Sequence, residues 1–218
     1  MAVSRVTPAL TVALLLASPL GVAASQTSSS QWWGEIDGYW TPPRSLTPLR
    51  FLGTAAITRS EEADVVEGTV GLHAGLAERW GSVRLGMNVT RSLSTQDYRE
   101  EKIVAELNTP ATTGTWRFRS RTRVEQRWIS GEPSQRYRER LRLERQTRVW
   151  RHSILPYGAY EVYYDTRYHA LSRTGYRLGA EVPISAHFKV DASGVRQDNR
   201  FGSPRHVSAT TMTISLLY

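Results

Sequence analysis

Between Trp116 and Glu144 the chain places arginine at almost every second position. The first run reads W-R-F-R-S-R-T-R-V-E-Q-R-W, and after a short break the second reads R-Y-R-E-R-L-R-L-E. Arg117, Arg119, Arg121, Arg123 and Arg127 share one phase with Glu125, while Trp116, Phe118, Val124 and Trp128 occupy the other. Arg136, Arg138, Arg140, Arg142 and Glu144 repeat the pattern against Tyr137, Leu141 and Leu143. Only a strand sends side chains to opposite faces with period two. A helix would spread these arginines around its circumference. Two strands follow, each with a cationic face and an apolar-aromatic face. The link from Ser130 to Gln135, with Gly131 and Pro133, reads as a hairpin loop, so the two arginine faces lie side by side in one sheet.

Such a face cannot be a dry core, because unpaired buried charge is too costly. It faces water or matching carboxylates. A soluble sandwich would leave the arginines in bulk solvent, but the aromatic spacing points elsewhere. Trp116 and Trp128 lie on one face, separated by roughly 40 Å along an extended strand. With a tilt of about 40° this projects to ~30 Å, close to the apolar band between the aromatic girdles of a transmembrane barrel.

The chain opens with a leader pattern. Arg5 is followed by an apolar stretch centred on Leu10 to Leu16, then by Val22 and Ala24 as a small-residue cleavage site. Residues 1–24 are therefore expected to be a signal peptide and 25–218 a single outer-membrane barrel domain. The apolar stretch is short and interrupted for a spanning helix, which needs ~20 residues. There is no cysteine, which excludes disulfides, a thiol nucleophile and cysteine-metal sites. The net charge of +8 and pI near 10.1 would ordinarily suggest nucleic acid. Export and arginines locked into strands argue against that partner.

Alternation recurs along the rest of the chain. Trp32, Ile36 and Trp40 oppose Glu35, Asp37 and Tyr39, and further strands are expected over 49–58, 66–77, 83–90 and 98–107. After the arginine strands come 154–164, 173–182, 188–193 and a last strand ending at Tyr218. Turns are expected at Glu78–Ser82, Asn108–Gly114 and Pro183–Ser185, and longer loops at Ser92–Asp97 and Arg196–Arg205, with Trp80 as an interface anchor. No window reads as a long helix. About eleven strands can be counted, whereas bacterial barrels have an even number. The expected fold is an all-β, antiparallel up-and-down transmembrane barrel of ten to twelve strands. Turn-length alternation from Tyr218 back to Leu49 supports ten, and the strong pattern at Trp32–Trp40 favours twelve.

An exported chain of alternating strands ending M-T-I-S-L-L-Y resembles bacterial outer-membrane β-barrels, whose terminal aromatic signal is read by the barrel-assembly machinery. More closely, E-Q-R-W followed by R-Y-R-E-R-L-R-L-E, with Y-E-V-Y-Y downstream, is similar to a family of small, Arg-rich proteobacterial barrels catalogued as a domain of unknown function. The resemblance is specific from about Arg117 to Tyr164. It implies fold and outer-membrane location, with outer-membrane lipid and the assembly machinery as partners, and it brings no activity. Ser120, Thr122 and Gln126 depart from it, because they fall on the expected lipid face.

Two readings of the arginine ladder stand. Glu67, Glu125, Glu144, Glu161, Glu181 and Asp191 share the inward phase, so the lumen can be filled by ion pairs, for which the planar guanidinium fork is suited. Inward arginines, Arg177 among them, outnumber these acids, so the lumen can instead attract small anionic solutes, as arginine rings do in anion pores. The H-x-S spacing of His206 and Ser208 is similar to the histidine–serine pairing of outer-membrane lipid A deacylases, and a hydrolase is the alternative function. A surface adhesion or binding barrel is another. His187, Asp191 and Ser193 share a face and read as polar lining. No metal cluster, phosphate loop or cofactor motif stands out.

Overall fold

The computed structural model describes residues 28–42, 49–61, 63–76, 81–94, 98–149, 152–202 and 204–218. The expected signal peptide, Trp80 and most of the Glu78–Ser82 turn lie outside them.

Among the described residues there are twelve strands: β1 (Ser28–Trp40), β2 (Leu49–Ser60), β3 (Val65–Gly75), β4 (Ser82–Ser92), β5 (Arg99–Thr113), β6 (Trp116–Ile129), β7 (Glu132–Arg145), β8 (Thr147–Val149), β9 (His152–Asp165), β10 (Ala170–Ser185), β11 (Phe188–Asn199) and β12 (His206–Leu217). Eleven of them form a closed ring in chain order, with β7 pairing β9 and β12 returning to β1. The three-residue β8 carries the β7–β9 pairing onward in the same register past Gln146. It is an extension of β7 rather than a twelfth stave.

The expectation of an even, wholly antiparallel barrel is thereby corrected. Each hairpin reverses the chain, so after eleven staves the last strand runs in the same direction as the first. The closing β1–β12 pair is accordingly parallel, from Ser28↔His206 to Tyr39↔Leu217. Backbone bonds from Tyr218 N to Tyr39 O and from Thr41 N to Tyr218 O, both 2.8 Å, prolong the seam. The start of β1 therefore lies on one rim, with the turns at 130–131, 166–169 and 200–205. The end of β12 lies on the other, with the turns at 114–115 and 186–187. We call these the upper and lower rims.

Several turns are tighter than expected. Ser130 and Gly131, with φ of 51° and 93°, make a two-residue hairpin whose left-handed backbone matches strand twist. Pro133 is already in β7, opposite Trp128. Pro110 lies inside β5, beyond Asn108, the last residue paired with β4, so that flank loses no ladder bond. β10 continues through Pro183–Ser185, and the turn falls at 186–187. The Arg196–Arg205 loop shortens because β11 runs to Asn199.

The barrel is inside-out relative to a soluble protein. Leu178, Val70 and Met87 are 73%, 67% and 64% exposed on the outer wall. Glu125 and Glu144 are each 1% exposed inside. Trp40 stacks near Phe51 at 5.5 Å on the outer side of the lower rim, where Trp116 also lies, and Trp32 and Trp128 stand toward the upper rim. Ser120 and Thr122 do face outward, and β7 answers them: Glu139 accepts bonds from both hydroxyls, at 2.5 and 2.6 Å. Among the described residues no helix is long and apolar enough to cross a membrane.

The left-handed turn gives a direct test. Gly131→Ala must hold a Cβ at φ 93°, which should cost about 1–2 kcal/mol. Gly68→Ala in β3, where nothing lies within 4 Å of the added carbon, should leave stability unchanged or raise it. Denaturant midpoints of the two variants in detergent make the comparison.

Candidate functional site

The interior is assembled from one crowded wall and one sparse wall. β6 and β7 pair so that Arg119 faces Arg142, Arg121 faces Arg140 and Arg123 faces Arg138. Like charges directly opposite each other destabilise a sheet. The carboxylates that offset them come from neighbouring strands as well as from the two arginine strands. Across the lumen many inward positions are small, including Gly71, Gly86, Ser193, Ala209 and Thr211, which leaves room for long side chains reaching over, although Asp37, Glu67, Arg84 and Asp191 also point inward there.

Three carboxylates act as hubs. Toward the lower rim, Glu144 receives Arg117 at 3.2 Å, Arg142 at 2.9 Å and Arg119. At mid-height, Glu106 takes two nitrogens of Arg123, at 2.6 and 2.8 Å, with Arg121 at 3.5 Å and the Asn108 amide at 2.9 Å. Glu161 binds Arg138 at 2.7 and 3.0 Å, also meets Arg140, and accepts the Tyr163 hydroxyl at 2.8 Å. Glu125 joins Arg136, 2.8 Å from its Nε, with Arg123 at 3.7 Å. Arg142 extends the network to Glu181 at 3.6 Å and Asp191 at 3.4 Å, and its guanidinium lies 3.5 Å from the Tyr157 ring centre. Toward the upper rim Arg127, 3% exposed, is held between Glu100 and Asp165.

Each of the six acids that the alternation placed in the inward phase has a partner here: besides those above, Glu67 meets Lys102 at 3.0 Å and Asp191 accepts the Tyr157 hydroxyl at 2.6 Å. Glu106, and the Glu100 and Asp165 that hold Arg127, are acids that the same reading passed over. The signal was present in β5, where Glu100, Lys102, Glu106 and Asn108 alternate with Ile103, Ala105 and Leu107.

The cations are not fully matched. Arg177 makes no ion pair among the described residues, and it stands with Arg121 and Arg138 among the like charges acting on Arg140. Nε of Arg119 and of Arg138 and Nη2 of Arg142 are buried without a hydrogen-bond acceptor.

His206 and Ser208 lie elsewhere, exposed on the outer wall at the upper rim. His206 Nδ1 meets Asp198 at 2.7 Å, an acid that sequence reading had not associated with it. No bond joins Ser208 to the imidazole among the described residues. His187, Asp191 and Ser193 are dispersed: His187 Nδ1 contacts the Leu217 carbonyl at 2.8 Å in the lower turn, and Ser193 pairs with Thr211 at 2.6 Å. Among the described residues no group of His, Asp and Glu side chains could hold a metal ion.

If the hubs hold the barrel together, removing one should be costly. Glu144→Gln strands three arginines and should lower stability by about 3–5 kcal/mol, the usual loss when one member of a buried ion pair is deleted. The unfolding midpoint in detergent measures it, and a shift within error would show that the network is solvated and slack.

Residues 58–206 match the family model described as Protein of unknown function (DUF2490). No curated protein and no solved structure matches the chain. Because the matched span covers well over half of the sequence, including both arginine strands and every hub, the chain belongs to the DUF2490 family.

Proposed function

We propose that this protein is a bacterial outer-membrane barrel, exported by its leader and inserted by the barrel-assembly machinery, whose ion-paired lumen is a narrow pore preferring small anions. The observation that carries the reading is the unmatched guanidinium charge of the lumen, above all Arg177. Fixed cationic side chains lining a constriction favour anions over cations, and the nitrogens of Arg119, Arg138 and Arg142 that lack a hydrogen-bond acceptor leave part of the lumen's donor capacity unused. Membrane placement is supported by the apolar outer wall, its tryptophans near both rims, and the outward Met212, Ile214 and Leu216 of β12.

The hydrolase reading has the Asp198–His206 pair in its favour, since a base needs an orienting acid. It lacks the serine's link to the ring. Unaltered lipid A in cells carrying His206→Ala would end it.

Two outcomes are expected of the pore. In planar bilayers under a KCl gradient, the reversal potential should carry the sign of chloride preference, and Arg177→Glu should move it toward the unselective value. Silence in bilayers would leave the ion-paired interior as filling only. Separately, Glu139→Leu should raise the unfolding free energy in lipid vesicles by about 1 kcal/mol, because an acid at mid-depth on a lipid-facing wall is destabilising, though less so than a lysine or arginine there. A lowered value would argue that this face meets water.

A further inference from the structure

The upper end of the lumen holds a cavity of about 350 Å³, at the small end of the range for ligand sites. It is bounded by Lys102, Arg127, Arg136, Arg167 and Arg173 as cations and by Glu67, Glu100 and Asp165 as acids. All three carboxylates are already engaged. Glu100 holds Arg127 and lies 3.9 Å from Lys102, and it accepts the Tyr98 hydroxyl at 2.9 Å. Desolvation at the rim, then the Glu100 charge, pushes that hydroxyl up to about 12, so it stays a neutral donor. Asp165 binds Arg127 and Arg167, each at 2.8 Å, and Glu67 binds Lys102 and Thr90. Arg136 is taken by Glu125.

Arg173 is what remains. Its Nε donates to Asn199 Oδ1 at 2.8 Å, and Asn199 is itself fixed by its Nδ2 bond to the Pro204 carbonyl at 2.7 Å. The guanidinium rests 5.3 Å from the Tyr163 ring centre. One edge of the fork is thus anchored, while its two terminal amino groups meet no acceptor among the described residues. A pre-oriented fork with two vacant parallel donors, beside a cavity where cations exceed acids, fits an oxyanion. The mouth is roofed by Tyr168 and Phe201, stacked at 4.4 Å, on turns of the upper rim.

We propose that this vestibule binds a small soluble oxyanion, a phosphate or carboxylate, through the terminal nitrogens of Arg173. The proposal deepens the anion-preferring reading by placing a discrete site at one mouth of the lumen, and it rests on the same cationic interior. Its position inside the ring, rather than on the outer wall, favours a dissolved ligand over a lipid headgroup.

Calorimetric titration of inorganic phosphate into the folded, detergent-solubilised barrel tests it. Saturable binding at one site is expected. Arg173→Gln should weaken it at least tenfold, Arg173→Lys should retain part of it, and Arg91→Gln, exposed on the outer wall, should leave it unchanged. Heat-shifted gel migration checks that each variant is folded. Absence of saturable heat from folded wild-type protein, or equal binding by Arg173→Gln, overturns the site. So does binding seen only with anionic phospholipid in mixed micelles. Anion current in bilayers without phosphate binding removes the vestibule and keeps the pore, while phosphate binding with silent bilayers keeps the vestibule and removes the pore.

Discussion

The structure depends on guanidinium–carboxylate pairing inside a closed ring. A soluble protein of this size would bury its apolar side chains and leave its charges in water. Here Leu178, Val70 and Met87 point outward and Glu125, Glu144 and Arg127 point inward, so the hydrophobic effect cannot hold the interior together. What fills it must satisfy the desolvation cost of each charge with hydrogen bonds of good geometry. Arginine suits this better than lysine, because one planar fork can address two carboxylates at once. Arg142 shows the use: it meets Glu144, Glu181 and Asp191 from three different strands and lies against the Tyr157 ring. Each such contact ties the arginine wall to another part of the ring, so the network sets the barrel's cross-section as well as filling it.

Ring size explains why the long side chains are concentrated on one side. A barrel of about eight strands is just filled by ordinary side chains, and the interior widens with strand number. Eleven staves leave a span that leucine or valine from both walls would not bridge. β6 and β7 present the longest side chains available, while the opposing strands present many glycines, serines, alanines and threonines among a few charged residues such as Asp37 and Arg84. At Gly71 an added Cβ would stand 2.4 Å from the Leu85 carbonyl oxygen, so local crowding between β3 and β4 also keeps that wall thin. The cost of the arrangement is three successive arginine–arginine pairs across one ladder, tolerable only because Glu106, Glu144 and Glu161 are placed among them.

Strand alternation made the interior legible before any coordinates. With period two, a residue's phase assigns its face, and the phases of Arg117 to Arg127 and Arg136 to Glu144 gave the lumenal set without knowledge of partners. What alternation cannot supply is register and closure. The two bonds from Arg123 to one oxygen of Glu106 come from the alignment of β5 with β6, which depends on turn length, and Pro110 made that turn look several residues earlier than it is. Proline and glycine mark turns only when the strand needs the missing N–H, and at the rim it does not. Strand number failed for a different reason. The residues themselves suggested about eleven, and a rule drawn from even-numbered barrels displaced that count, whereas a parallel seam lets an odd ring close.

The parallel seam also bears on how the two ends of the ring differ. In an even meander the first and last strands bring their outer ends to the same rim. Here β1 begins at the upper rim while β12 ends at the lower one. The upper rim collects outward charge at Arg59, Arg91, Arg99 and Arg196, with His206 beside Asp198, whereas the outer lower rim is mainly aromatic and apolar, with Arg145 set against Trp116 at 5.3 Å. The unmatched Arg173 lies toward the upper end of the lumen as well. Of the outer cations, Arg99 meets Glu101 and Arg196 lies 3.8 Å from Asp198, so the charge of the upper rim is partly paired. Among the described residues the two rims thus differ in their outer chemistry, charged above and mainly aromatic and apolar below, although the staves between them alternate alike.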